Sequence, residues 1–189
     1  MIIDKLFPVN VGIVDNPNHS ELLYLEKYIY QLSKKIKKGG SNWISNKTYN
    51  TSETHNVFKD NKFSPLINWV NEQIIKYCKL LNYNGELNAT TAWFNIYKKY
   101  DYQEYHNHMG GSLVAVYFFK SKEGSSTFNI KKPYERDSKE FATGDHTTFE
   151  SKEGRLLIFN SSIRHCVSQH LRKEDRISFS FNYEKINDN

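Results

Sequence analysis

His106 and His108 stand one residue apart, and in extended backbone alternate residues project to the same face. Two imidazoles so placed can reach one metal ion. A third histidine, His165, follows the apolar run Leu156–Phe159, and Arg176 comes eleven residues after it. Imidazole nitrogens suit a divalent transition metal, and a guanidinium fork suits a carboxylate. The chemistry to expect is a metal held between β-strands, with a cationic anchor for an acidic cosubstrate. His-x-His alone is a weak motif, and it gains specificity from the third histidine and the arginine beyond it. His19, His55, His146 and His170 are isolated and need no role. Gly110-Gly111, just after the pair, allows a tight bend or a close ligand approach.

The elements that must hold these groups follow from periodicity. In Arg176–Tyr183 the apolar residues Ile177, Phe179 and Phe181 share one strand face, while Arg176, Ser178, Ser180 and Asn182 share the other. A solvated polar face is the ordinary outcome for such a strand; a polar face lining a cavity is the alternative that the histidines favour. Strands are also expected at 87–97, 112–120, 125–130 and 154–159, with 132–150 a polar excursion. The first strand is expected at 5–14, with Pro8 at its edge. Leu22, Leu25, Ile29, Leu32 and Ile36 recur at helical spacing, with Asn18 a candidate N-cap and Gly39-Gly40 a stop. A second helix is expected from the Ser64-Pro65 cap pair through Leu66, Val70, Ile74, Cys78 and Leu81, ending near Asn84-Gly85. Between the helices, 41–63 reads as a polar loop that holds Trp43. Helices first and strands after, without βαβ alternation, predict a β-sandwich or barrel backed by helices.

The chain has 189 residues, enough for one domain with a sizeable core, and 15% of them are aromatic. The formal charge is +5, but 21 of the 26 basic residues are Lys and no nucleic-acid motif accompanies them, so a solvated lysine surface is the expectation. The two cysteines, Cys78 and Cys166, lack any paired spacing and predict neither a disulfide framework nor a zinc ribbon. The start, MIIDKLFPVNVGIV, has no basic n-region, and no run approaches a membrane span. A soluble, cytoplasmic protein without membrane or nucleic-acid partners is expected, with a homodimer left open.

On these residues the chain resembles the 2-oxoglutarate- and iron(II)-dependent oxygenases, in particular a phage and marine-bacterial, prolyl-hydroxylase-like branch. The resemblance rests on Leu6-Phe7-Pro8, on Trp93-Phe94-Asn95 with Tyr97, and on His106-x-His108 followed by Val114–Phe119. It continues through Leu157-Ile158-Phe159, His165-Cys166-Val167, Arg176-Ile177-Ser178 and Phe181-Asn182. It spans about residues 5–184 and implies one oxygenase domain over 1–189, with helical support at about 18–85 and a barrel at about 86–184. The implied fold is mainly β with flanking helices, a double-stranded β-helix or jelly roll. The implied cofactors are Fe(II) and 2-oxoglutarate. His106 and His165 would then be iron ligands, and Arg176 with Ser178, Tyr97 and Asn95 would hold the cosubstrate. The family pattern has His-x-Asp/Glu where this chain has His106-Asn107-His108, so either three neutral imidazoles hold the metal or His108 is not a ligand, with Asp101, Glu104 and Asp145 as substitutes ranked below His108. The implied reaction is hydroxylation by O2 of a C–H bond in an amino-acid residue or small metabolite. Val114, Val116 and Phe118 would form an apolar wall, and loops 41–63 and 132–150 would cover the barrel mouth. Two rivals stand beside this reading: a cupin-like three-histidine enzyme that does not use 2-oxoglutarate, and a non-catalytic jelly-roll module.

Overall fold

A computed structural model describes residues 8–108, 110–132 and 145–186. Among the described residues ten strands form two antiparallel sheets. The strands are β1 (Val11–Asp15), β2 (Tyr49–Asn50), β3 (Leu87–Tyr97), β4 (Gln103–His106) and β5 (Leu113–Lys120), then β6 (Phe128–Lys131), β7 (His146–Phe149), β8 (Arg155–Asn160), β9 (His165–Val167) and β10 (Arg176–Lys185). The larger sheet has the order β1-β8-β5-β10-β3-β2 and the smaller β4-β9-β6-β7. From β3 onward the chain passes back and forth between the sheets, which is the winding of a double-stranded β-helix. The expected fold class is the one observed.

The major sheet has two buried faces, and the parity of its strands decides what each one meets. Its outer face packs on helices α1 (Leu25–Lys35) and α2 (Ser64–Leu80). There Phe94, Tyr117, Phe119, Ile177, Phe179 and Phe181 join Leu25, Ile29, Phe63, Leu66 and Val70 in one cluster. Phe179 is central to it, ringed by Phe63, Phe94 and Phe119 at 5.4–6.1 Å between centroids. The inner face belongs to a second cluster of Tyr97, Val114, Val116, Phe118, Leu157 and Phe159, closed from the minor sheet by Phe128, Ile130 and Val167. Val114, Val116 and Phe118 therefore do line the barrel interior, and the functional groups share that interior with them.

Several expectations are corrected. The first helix does not start at Asn18: residues His19–Leu22 form a 3₁₀ turn without a side-chain cap, and α1 begins at Leu25. Asn16 turns the chain ahead of it, its Oδ1 accepting from Asn18 N at 2.9 Å. The stop comes at Lys35, where Ile36 is already extended, ahead of Gly39-Gly40. At α2, Ser64 lies inside the helix and Phe63 is the cap residue, with no side-chain bond. The helix ends at Leu80 rather than near Asn84, and Asn82 takes the left-handed conformation (φ 53°) that turns the chain away.

The loop 41–63 is not wholly irregular, because β2 and two 3₁₀ turns, Val57–Lys59 and Asn61–Phe63, lie in it. β7 stands inside the expected polar excursion 132–150, most of which, with Tyr134, lies outside the described residues, as do Leu6 and Phe7 of the expected first strand. Among the described residues no helix is long and apolar enough to cross a membrane, and both cysteines are free.

Candidate metal centre

His106 is the last residue of β4, and it pairs in register with His165, the first residue of β9. His108 lies just past the strand, where its amide donates to Ser161 O at 2.9 Å. The three rings converge, with centroids 4.3 Å apart for His106 and His165, 5.1 Å for His108 and His165, and 5.3 Å for His106 and His108. One ligand atom from each lies within 4.8 Å of the others. Among the described residues no Asp, Glu or Cys joins this group.

Each ring is held through Nδ1. His106 Nδ1 contacts Glu104 O at 2.8 Å, His165 Nδ1 contacts Ile163 O at 2.9 Å, and His108 Nδ1 contacts Asn182 Oδ1 at 2.6 Å. Carbonyl oxygens only accept, so each Nδ1 carries the proton and each Nε2 keeps a free lone pair. Burial lowers the pKa of all three, His108 to about 4 and His165 well below its ordinary value, so the rings are neutral at physiological pH. Three neutral imidazoles with converging Nε2 atoms are a donor set that fits a divalent transition metal.

None of the rival carboxylates joins the cluster, and those of Asp101 and Glu104 are used elsewhere. Asp101 accepts from Lys98 N at 2.8 Å. Glu104 accepts from the amides of Ile44 and Ser45 at 2.8 and 3.2 Å. That bond pair seats Trp43 against His106, with ring centroids 6.3 Å apart, so the loop that carries Trp43 does reach the centre. Asp145 accepts from Lys132 N through its backbone carbonyl. Cys166 points away from the barrel interior, as alternation from His165 requires, and its Sγ lies 3.7 Å from Asn129 Nδ2.

The same interior holds a cation: the Tyr97 and Phe118 rings under Arg176 and the Phe128 and Phe159 rings against His165 belong to one cluster. Arg176 is completely buried, as are Tyr97, Asn95 and Ser178 nearly so. β10 and β3 set these residues opposite one another: Arg176 faces Tyr97, Ser178 faces Asn95, and Ser180 faces Trp93. The guanidinium lies over the rings of Tyr97 and Phe118, 4.7 and 5.2 Å from their centroids. Its Nε donates to Ser151 Oγ at 2.9 Å and one terminal nitrogen to Ser178 Oγ at 3.4 Å. The other terminal nitrogen, Nη2, is buried without a partner, and among the described residues no carboxylate pairs with it. Burial lowers the Arg176 pKa and raises that of Tyr97. A buried cation with an unspent donor is a seat for an anion.

Sequence reasoning did not single out the further contributions of Trp93, Asn182 and Ser151. Trp93 stacks on His108 at 5.5 Å with 20° between planes, and its Nε1 is another buried donor without a partner. Its parity with Asn95 and Tyr97 was the signal. Asn182 shares the face of Arg176 and Ser178, so parity reached it too. Ser151 lies in the link between β7 and β8, far from any motif, and no sequence signal marks it.

Residues 91–182 match the family described as putative 2OG-Fe(II) oxygenase. That segment contains the three histidines together with Asn95, Tyr97, Arg176 and Ser178. No curated protein matches the chain. Solved structures similar to it include a prolyl-4-hydroxylase from Pseudomonas putida, with a TM-score of 0.69 and 10% identity over 95% of this chain and 94% of that one. A Trichoplax adhaerens prolyl hydroxylase, in complex with a hypoxia-inducible-factor oxygen-degradation-domain peptide, has a TM-score of 0.68 and 14% identity over 92% and 83%. A viral collagen prolyl hydroxylase from Paramecium bursaria Chlorella virus-1, in a 2-oxoglutarate complex, has a TM-score of 0.62 and 12% identity over 92% and 94%. At these identities the structures share a fold with this chain.

Proposed function

We propose that this chain is a 2OG-Fe(II) oxygenase, a reading supported by the family match over residues 91–182, in which His106, His108 and His165 hold the iron while Arg176, Ser178, Tyr97 and Asn95 hold 2-oxoglutarate. When bound, iron and 2-oxoglutarate couple oxidative decarboxylation of the cosubstrate by O2 to oxidation of a C–H bond. The chain's own residues supply position and charge. Arg176 Nη2 is free for the distal carboxylate, and the Tyr97 and Phe118 rings keep the guanidinium flat against the barrel wall. Val114, Val116 and Phe118 keep water from the cavity. The ligand set brings no negative charge, so the cosubstrate dianion compensates both the metal and Arg176.

One observation carries this reading: a fully buried arginine with an unpaired donor, in the same interior as three neutral, converging imidazoles. The substrate proposed is a C–H bond of an amino-acid residue or a small metabolite. Several neighbours are named as prolyl hydroxylases, which makes a prolyl residue in a peptide the first to try. The proposal treats 1–189 as one oxygenase unit, supported by the packing of both helices on the barrel's major sheet.

Thermal melts with Mn(II), as an inert stand-in for iron, test the cofactor pair. 2-Oxoglutarate should raise the midpoint of the Mn(II)-loaded protein, and Arg176→Ala should keep the metal shift while losing the cosubstrate shift. A wild-type metal shift with no 2-oxoglutarate shift would favour a three-histidine enzyme that does not use this cosubstrate. No shift from either would leave a non-catalytic barrel.

A further inference from the structure

The three histidines are not held alike. His106 and His165 each donate Nδ1–H to a main-chain carbonyl two residues earlier, Glu104 O and Ile163 O. Any sequence with that local backbone supplies those acceptors. His108 instead depends on a side chain from another strand, Asn182 Oδ1, at 2.6 Å. Asn182 is gripped in turn. Its Nδ2 donates to Thr91 Oγ1 at 2.9 Å, and its main-chain carbonyl accepts from Thr90 Oγ1 at 3.3 Å, so Thr91 holds the carboxamide and Thr90 the backbone that carries it. The register of β10 against β3 shifts at this point: Asn182 faces Thr91, Tyr183 faces Ala89, and Thr90 is left over. Such a bulge re-aims side chains beside a site. Here Thr90 and Thr91 both spend their hydroxyls on Asn182.

The orientation of that carboxamide decides which His108 nitrogen is free. With Oδ1 toward the ring, His108 must be protonated at Nδ1, and Nε2 can bind a metal. With Nδ2 toward the ring, Nδ1 must accept, and the proton moves to Nε2, facing the other two histidines. The structure has the first arrangement, Oδ1 on His108 and Nδ2 on Thr91; the Thr91 hydroxyl, able to accept or donate, holds the carboxamide in the plane of that contact. We propose that Asn182, clamped by Thr90 and Thr91, is a positioning residue that sets the tautomer of His108 and so lets a histidine serve where the family pattern has a carboxylate. This rests on the reading of the three histidines as metal ligands.

The test starts without metal. Long-range proton–nitrogen NMR on the histidine-labelled apoprotein reads the His108 tautomer, which should be Nδ1–H in the wild type. Asn182→Ala should lose that preference, alter the visible Co(II) spectrum and weaken Co(II) binding about 10- to 100-fold. Asn182→Asp keeps an acceptor toward Nδ1, so it should restore both the tautomer and the Co(II) affinity. A general packing role would not be rescued in this way. Nε2–H at His108 in the wild type overturns the proposal, whether or not the alanine variant folds. So does an Asn182→Ala protein with unchanged tautomer and Co(II) affinity, or an aspartate variant that recovers neither. Failure of the wild type to bind Co(II) would sink the metal reading and this inference together, whereas loss of the Asn182 effect alone leaves the metal reading standing.

Discussion

Arg176 shows how one residue can set function against stability. A buried ion costs several kcal/mol to desolvate unless its partners repay it, and here the partners are two hydroxyls and two aromatic faces. Arg176→Met keeps the stem and removes the charge. The apoprotein should then hold or raise its urea midpoint, by about 1 kcal/mol in stability, while 2-oxoglutarate binding disappears. A large loss of apo stability would mean that the guanidinium is satisfied without a cosubstrate. At this scale much was legible. The polar parity of β10 survives folding, because side-chain direction in a strand follows from sequence alone; His106 and His108 do converge, but His108 lies past the end of β4, so the chain after the strand places it. Convergence of His165 on the pair was less legible, since it depends on the turn after Asn160 and on a separate short strand. Ser151 was invisible, because its bond to Arg176 is made by tertiary approach.

At the scale of elements, the major sheet has an edge to protect. β2 covers β3 only at Asn95 and Ile96. Beyond that, side chains stand in for a strand: Thr51 bonds both backbone groups of Phe94, its amide to Phe94 O and its Oγ1 to Phe94 N. The Asn56 carboxamide accepts from Ala92 N at 3.1 Å and donates to Thr90 O at 3.0 Å, while Oδ1 also caps Phe58 N. Asn56→Ala removes all three bonds at a partly buried edge. It should cost about 2 kcal/mol or more, read as a drop in urea midpoint; a change within a few tenths would show that water replaces the amide. Long strands such as β3, β5 and β10 were readable because they alternate or run apolar over many residues. β2, β4, β7 and β9 have two to four residues each, mostly polar, and such pieces become strands only because neighbours offer a ladder. The first helix was placed too early for a related reason: Asn18 has the right type for a cap and precedes a 3₁₀ turn, but its side chain makes no capping bond and α1 begins only at Leu25.

Across the whole molecule, the major sheet separates two interiors. One is apolar and closed by helices. The other holds the polar rungs of β3 and β10 with three neutral histidines, His165 buried and His106 and His108 half-buried. That second interior makes the apoprotein acid-sensitive. Desolvation holds His108 at about 4 in the folded state against 6.5 as its ordinary value. The unfolded chain therefore binds more protons between those values. Stability is fully present above about pH 6.5 and is lost as pH falls toward 4, by roughly 3 kcal/mol from His108 alone. Urea titrations of the apoprotein across that range should show the slope, and His108→Gln should flatten it; a wild-type midpoint flat with pH would contradict the burial of the neutral ring.

The central claim is that one cavity holds both iron and 2-oxoglutarate. Anaerobic addition of Fe(II) and 2-oxoglutarate, followed by visible spectroscopy, tests it most directly. Chelation of the keto acid should give a weak charge-transfer band that Arg176→Ala abolishes and His108→Ala diminishes. Iron bound by the wild type with no such band would contradict the account.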